Sequence, residues 1–313
     1  MTTYLITGGA GFIGANLAHE LVRRGARVRV LDNFATGRRG NLTGLADRIE
    51  VIEGDLRRLP EVEKAMQGVE VVLHQGALGS VPRSVADPLT THEVNATGTL
   101  HVLWAARGAG VRRVVSASSS STYGDTPTLP KVEDMLPAPR SPYPVSKLAG
   151  EYYCRVFTEV YGLDTVSLRY FNVFGPRQDP ASQYAAVIPK FIRAMLRGER
   201  PVIFGDGTQS RDFTYVDNVV QANLLAAEAP AGSLRGTVCN IACGERITLV
   251  DLVAALNEVL GTRLAPQFQP PRTGDVLHSL ADFRRAEHLF GYRPLVKFAE
   301  GIRRTVEWMR ANE

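Results

Sequence analysis

Seven residues, Gly8-Gly-Ala-Gly11-Phe-Ile-Gly14, restrict this chain more than any other stretch. They follow a short apolar run, Thr3–Thr7, and lead into an amphipathic segment that reads as a helix over residues 16–24. Glycines at a strand-to-helix junction permit a tight turn. They also let an anion approach the free N–H groups that open the helix, where the helix dipole favours negative charge. The pyrophosphate of a dinucleotide suits such a turn. A second strand, residues 27–31, ends in Asp32, eighteen residues after Gly14. A carboxylate there can accept both hydroxyls of an adenosine ribose and repels a 2′-phosphate, which selects NAD over NADP even with Arg38 and Arg39 nearby.

The alternation begun by this unit continues. Strands are expected at residues 49–52, 69–73, 113–117 and 165–170, with helices near 61–67 and over 88–108. That order predicts an α/β fold, a doubly wound parallel sheet of the Rossmann type, with ligands at the C-terminal ends of the strands. At 313 residues and 44% hydrophobic content the chain can bury one large core or two modest ones. The net charge is +4, but the arginines are interspersed with acids, which describes a solvated surface and not a nucleic-acid footprint. No apolar run nears the roughly 20 residues of a membrane span, so no membrane partner is expected. Cys154, Cys239 and Cys243 lack neighbours at ligand spacing, so neither a metal site nor a disulfide framework is expected, and a cytoplasmic location is.

The chemistry centres on Ser141-Pro-Tyr143-Pro-Val-Ser-Lys147. Pro142 disfavours helix before it and Pro144 is tolerated only in a first turn, so a helix starts here. Tyr143 and Lys147, four residues apart, then share one face. A tyrosine of pKa about 10 is a poor base at neutral pH. Moving it to about 7 takes roughly 4 kcal/mol, which the lysine ammonium and an oxidised nicotinamide ring are expected to supply. The fifth strand runs into Ser118-Ser-Ser-Ser-Thr-Tyr-Gly124. It does so where this fold places chemistry, and a hydroxyl there can relay a proton to Tyr143.

The glycine spacing Gly-x-x-Gly-x-x-Gly, with Tyr-x-x-x-Lys further on, resembles the extended short-chain dehydrogenase/reductases. Arg169-Tyr-Phe-Asn-Val-Phe-Gly-Pro176 is similar to their sugar-nucleotide epimerase/dehydratase branch, and further strings look like the UDP-hexose and UDP-N-acetylhexosamine 4-epimerases within it. The resemblance implies that Gly8, Gly11, Phe12, Ile13 and Gly14 cradle the cofactor's phosphates. Asp32 and Asn33 would meet the adenosine ribose, and Asp55 and Leu56 the adenine. Gln75, Ala77, Asn95, Tyr170 and Phe171 would lie about the cofactor, with Phe171 near the nicotinamide. It implies Ser119, Tyr143 and Lys147 as the catalytic residues, with Gly79, Ser80 and Ser120 beside the sugar. Asn172, Arg211 and Arg272 would hold the diphosphate, Asp275 the uridine ribose, and Ala186, Val187, Lys190, Val202 and Phe204 the uracil. Ser279 would line the end of the hexose pocket, where a small residue leaves space for a 2-acetamido group.

The same resemblance implies two domains: residues 1–172 for NAD, with a segment near 212–230 returning to them, and residues 173–313 for the UDP-sugar. It also implies a homodimer through the helices near 88–108 and 143–160, with Leu100, Leu103 and Phe157 in the contact. The expected reaction is 4-epimerisation through a transient 4-keto sugar, with no metal. Dehydratases of this family carry an Asp-Glu pair after the catalytic hydroxyl and decarboxylases a glutamate, whereas Ser120 and Ser121 stand here. A UDP-glucuronate epimerase, another enzyme on the same scaffold, and a non-catalytic NAD sensor remain the alternatives at this point.

Overall fold

Strands β1 (Thr3–Thr7), β2 (Arg27–Asp32), β3 (Ile49–Glu53), β4 (Val71–His74), β5 (Arg113–Ser119) and β6 (Asp164–Tyr170) join Thr237–Ile241 in one seven-stranded sheet. The computed structural model describes residues 1–45, 47–180, 186–271 and 277–312. All pairings in the sheet are parallel, in the order Thr237–Ile241, β6, β5, β4, β1, β2, β3. Tyr4 and Ile6 enter the core on one face with Val28 and Val30, while Leu5 joins Leu31, Val72 and Val114 on the other. Both faces are covered, which is why these strands read as nearly continuous apolar runs. Helix α1 (Phe12–Arg23) and the helix Val216–Glu228 cover the first face; Leu59–Met66, Gly98–Gly108 and Pro142–Tyr161 cover the second. The chain moves outward from β1 to β3 and then returns to β4 on the far side of β1, opening a crevice at their C-terminal ends.

Several boundaries differ from the sequence expectation for local reasons. Helix α1 opens at Phe12, not residue 16, because Gly11 itself is the N-cap, with φ −74° and ψ 176° and no side-chain cap. Residues 88–108 are not one regular helix: a π turn, Glu93–Thr97, separates Pro88–His92 from Gly98–Gly108 and turns Asn95 inward. Pro142 is the first residue of its helix, with Ser141 as N-cap, and Gly162 ends it at φ 71°. The helix Val216–Glu228 lies against α1, and Thr237–Ile241, beyond the segment expected to return, forms the sheet edge.

The second half is assembled from short pieces. Val173–Phe174 pairs with Thr214–Tyr215, Val202–Phe204 with Gln267–Gln269, and Ser210–Arg211 with Ile247–Thr248. Phe174, Phe213 and Phe298 meet with ring centroids 5.8–6.2 Å apart and belong to the same buried cluster as Ile6 and Val219. The half that carries the large sheet and this smaller unit therefore share one core.

Candidate active site

Three of the four glycines of the turn, Gly8, Gly11 and Gly14, do different work. At Gly8 (φ +64°) a Cβ would lie 2.6 Å from the Cα of Gly76, and at Gly14 one would lie 2.3 Å from the Gly8 carbonyl oxygen. Those two are glycine because backbone meets backbone. At Gly11 the closest approach is 3.1 Å, and its bare N-cap leaves the first N–H groups of α1 open to the cleft.

That cleft, of about 490 Å³, runs from the glycine turn past Asp32, Asn33, Asp55 and Leu56 and reaches Tyr143 and Lys147. Phe12, Ile13, Gln75, Ala77, Gly79, Ser80 and Tyr170 also line it. Asp32 uses one oxygen to accept from the Ala10 N–H (2.9 Å) and the other from the Phe34 N–H (2.8 Å), and burial raises its pKa. The two arginines that left room for a 2′-phosphate are engaged with acids, Arg38 with Asp179 and Arg39 with Glu53. Asp55 is held well below the usual carboxylate range by Arg57 and accepts from Asn33 Nδ2 at 3.0 Å.

Beside the turn that follows β4 lies a polar knot. Gln75 Nε2 donates to Asn223 Oδ1 (3.0 Å), Tyr170 donates to Gln75 Oε1 (3.1 Å), and Asn223 Nδ2 donates to the Tyr170 oxygen (2.9 Å). Asn223 carries no motif and escaped the sequence reading. Two expected cofactor contacts sit elsewhere. Asn95 spends its amide on the backbone of Leu78 (2.7 and 3.2 Å) and on Ser146 Oγ (3.0 Å), tying the loop to the catalytic helix from behind the wall. Phe171 is fully buried with Tyr123, Ala242 and Ala281 and does not line the cleft, because its neighbour Tyr170 takes that side of β6.

At the far end Lys147 Nζ donates to the Ala117 carbonyl (2.8 Å), and burial lowers its pKa to about 8. Burial raises the Tyr143 pKa, while its hydrogen bond with Ser119 lowers it part of the way back. In the protein by itself, then, desolvation outweighs the hydroxyl and holds the phenol above its ordinary value. Ser119 Oγ lies 2.8 Å from Ser121 Oγ and accepts from the Ser121 N–H at 3.2 Å. Ser120 is half-buried in the turn Ser120–Tyr123. One helical turn beyond Lys147, Glu151 accepts both arms of Arg169 (2.8 and 2.7 Å) and the hydroxyl of Ser118. The i, i+4, i+8 spacing of Tyr143, Lys147 and Glu151 was available in the sequence; the partner strand was not.

A second cavity, of about 290 Å³, adjoins the cleft through Ala186, which lines both. The structure brings Asn172, Val187, Val202, Phe204 and Arg211 together around it, and Phe191, Gln209, Phe213 and Leu249 join them. Lys190 is exposed on the helix Val187–Leu196 and lies outside the lining. Asn172 (φ 36°) donates its amide hydrogens to the Asp212 carbonyl and Ser279 Oγ, each at 3.1 Å. Both donors are thus spent within the protein; on the same wall Arg211 Nη1 donates to the carbonyls of Ser210 (3.0 Å) and Leu277 (3.2 Å). Ser279 is buried, accepts also from the Asp212 N–H (3.2 Å), and lines neither cavity. Arg272 and Asp275 lie outside the described residues.

Residues 4–242 match the NAD dependent epimerase/dehydratase family. A UDP-glucose 4-epimerase of Mycolicibacterium smegmatis is 40% identical, with 98% of each chain covered. Among solved structures, a UDP-N-acetylglucosamine 4-epimerase from Methanobrevibacter ruminantium, in complex with UDP-N-acetylmuramic acid, superposes with a TM-score of 0.94 at 40% identity, covering 100% of this chain and 99% of that one. The UDP-glucose 4-epimerase of Thermus thermophilus, in complex with NAD, gives 0.89 at 38% identity over the whole of both chains.

Proposed function

The chain belongs to the NAD dependent epimerase/dehydratase family, and on that premise we propose that it is an NAD-dependent 4-epimerase of UDP-hexoses. Its reactions are the interconversion of UDP-glucose with UDP-galactose and of UDP-N-acetylglucosamine with UDP-N-acetylgalactosamine. The observation that carries this reading is the group Ser119, Tyr143 and Lys147 beside two adjoining cavities, with hydroxyls at Ser120 and Ser121 where dehydration or decarboxylation would call for carboxylates.

The residues present fit NAD. Gly11 leaves the cradle at α1 open, Asp32 faces a ribose site with its neighbouring arginines engaged, and the knot of Gln75, Tyr170 and Asn223 forms a polar floor. Bound there, NAD would supply a reversible two-electron acceptor for carbon 4 of the hexose. Tyr143 takes the proton of the 4-hydroxyl, with Ser119 aligning it, and later gives a proton back. Lys147, fixed by the Ala117 carbonyl, keeps a positive charge beside the phenol and stabilises its ionised form as the proton leaves. The planar 4-keto sugar must turn about its bond to the diphosphate before the second proton transfer. The nucleotide is therefore gripped, by Arg211 and the apolar walls of the smaller cavity, while the hexose is not.

In this reading residues 1–172, with the helix Val216–Glu228 and the strand Thr237–Ile241, hold the cofactor, and the remaining second half holds the UDP. The enzyme works as a homodimer, and three free, buried cysteines suit the cytoplasm. Separate incubation with UDP-galactose, UDP-N-acetylgalactosamine and UDP-galacturonate, with chromatography of the products, tests it. Epimers of the first two are expected. Inversion confined to the uronate would replace this reading with a UDP-glucuronate epimerase.

A further inference from the structure

Arg177 is the second residue after Gly175 and has a left-handed backbone, φ +69°. Such strain in a non-glycine residue persists only where its surroundings enforce it. Here the enforcer is Asn16 of α1, whose Nδ2 donates to the Pro176 carbonyl (3.0 Å) and whose Oδ1 accepts from Arg177 Nη1 (2.8 Å). Among the described residues that amide is the one side chain to which the guanidinium is hydrogen-bonded. The other arginines of the cleft that carry salt bridges, Arg38 and Arg57, are matched by Asp179 and Asp55. Burial lowers the pKa of Arg177, with Asp217 the first opposing charge. A guanidinium half-withdrawn from water, hydrogen-bonded to a neutral amide and reached by Asp217 only through space, gains from an anion that meets it directly.

The neighbouring feature that also seeks an anion is the open N-terminus of α1 at Gly11, just over one turn before Asn16. Arg177 lines the dinucleotide cleft and not the smaller cavity, where Arg211 stands. We propose that Arg177 binds the pyrophosphate of the dinucleotide, brought over the glycine turn from the second half of the chain and aimed by Asn16. The inference rests on the dinucleotide reading above and extends it to a residue outside the glycine turn. Planar N–H groups fit phosphate oxygens in pairs, which the backbone N–H groups of α1 complement from the other side. A reaction that returns its electrons to its own substrate needs the cofactor kept in place between the two steps, and a grip from the second half of the chain serves that need.

Isothermal titration of the nucleotide-free protein with NAD, ADP-ribose, adenosine and UDP tests the proposal without turnover. In Arg177→Gln, binding of NAD and of ADP-ribose is expected to weaken about 10- to 100-fold, with adenosine and UDP held within about twofold. Arg177→Lys should recover part of the loss, as a point charge without the fork. Asn16→Ala, which leaves the charge but not its aim, should fall between the wild type and Arg177→Gln. Unaltered NAD and ADP-ribose binding in a folded Arg177→Gln protein overturns the proposal, as does a loss confined to UDP. Wild-type protein that binds UDP but neither NAD nor ADP-ribose removes the dinucleotide reading and this inference with it.

Discussion

Burial acts on Tyr143 and Lys147, side by side on one helix face, in opposite senses. Desolvation raises the acid and lowers the cation, so burial pushes both toward neutrality. Lys147, at about 8, remains mostly charged at neutral pH, and its ammonium disappears as pH rises past that value. Turnover is therefore expected to decline above about pH 8. The fold should not fail with it: this lysine titrates lower in the folded chain than in the unfolded one, from 10.5, so between those values the unfolded chain binds more protons. Over that window the group's contribution to stability rises with pH. Initial rates and circular dichroism measured across pH 7 to 10 check the pair of trends; parallel loss of activity and structure would remove Lys147 as the cause. At the same centre, Tyr143→Phe is expected to lower kcat at least about 100-fold, the range general acid–base groups supply, while the Kd for UDP changes little. Calorimetry with UDP beside a rate assay reads both, and a mutant with near-normal kcat would rule out the phenol as the proton carrier.

At the scale of elements, His74 links three of them. Thr99 donates its hydroxyl to the Asn95 carbonyl (2.6 Å), so it accepts from His74 Nε2 (2.9 Å), and the Nδ1 atom is left to accept from Thr7 (2.6 Å). The neutral ring thereby joins β1, β4 and the Gly98–Gly108 helix beneath the cofactor turn. Burial, with Lys147 adding to it, lowers its pKa to about 3. Below the ordinary value of 6.5 the unfolded chain takes up a proton that the folded chain refuses, so stability falls as pH drops from there toward 3. The loss is about 1.4 kcal/mol per pH unit once well below 6.5. His74→Gln keeps a donor and an acceptor for the two hydroxyls and should flatten this part of the profile. Urea midpoints at pH 7 and pH 4.5 measure it; equal acid sensitivity in the two proteins would put the cause elsewhere. Much of this framework was legible in the sequence, because strand periods, the glycine turn and the proline-marked helix start are local signals. What the sequence hid is long-range pairing. Gly8 is glycine because of Gly76, Glu151 needs Arg169, and Asn172 is occupied by Ser279, 107 residues away. For that reason Asn172, a motif position expected to hold the diphosphate, gives its amide hydrogens to Asp212 and Ser279 instead.

For the whole molecule the open question is what covers the outer face of the catalytic helix. The residues expected in a dimer contact do not supply it: Leu103 and Phe157 are buried in the chain's own core and Leu100 packs against that core. The helix Pro142–Tyr161 instead exposes Val145, Tyr152, Val156 and Val160, one stripe at helical spacing on the side away from Lys147 and Glu151. On the adjoining segments Leu89 is 77% exposed and Trp104 44%. A monomer seldom leaves so continuous an apolar face to water, and two copies packed through these three helical segments would bury it on both. Light scattering at micromolar concentration should give twice the chain mass of 34.2 kDa. Tyr152→Glu with Val156→Glu should halve that mass, since charges at the centre of an apolar contact must be desolvated unpaired. Because the stripe lies opposite the catalytic face, the double variant should still bind UDP with little change in Kd. A wild-type protein of single-chain mass would show that this face is left open to solvent, and a double variant that stays paired would place the contact on another surface.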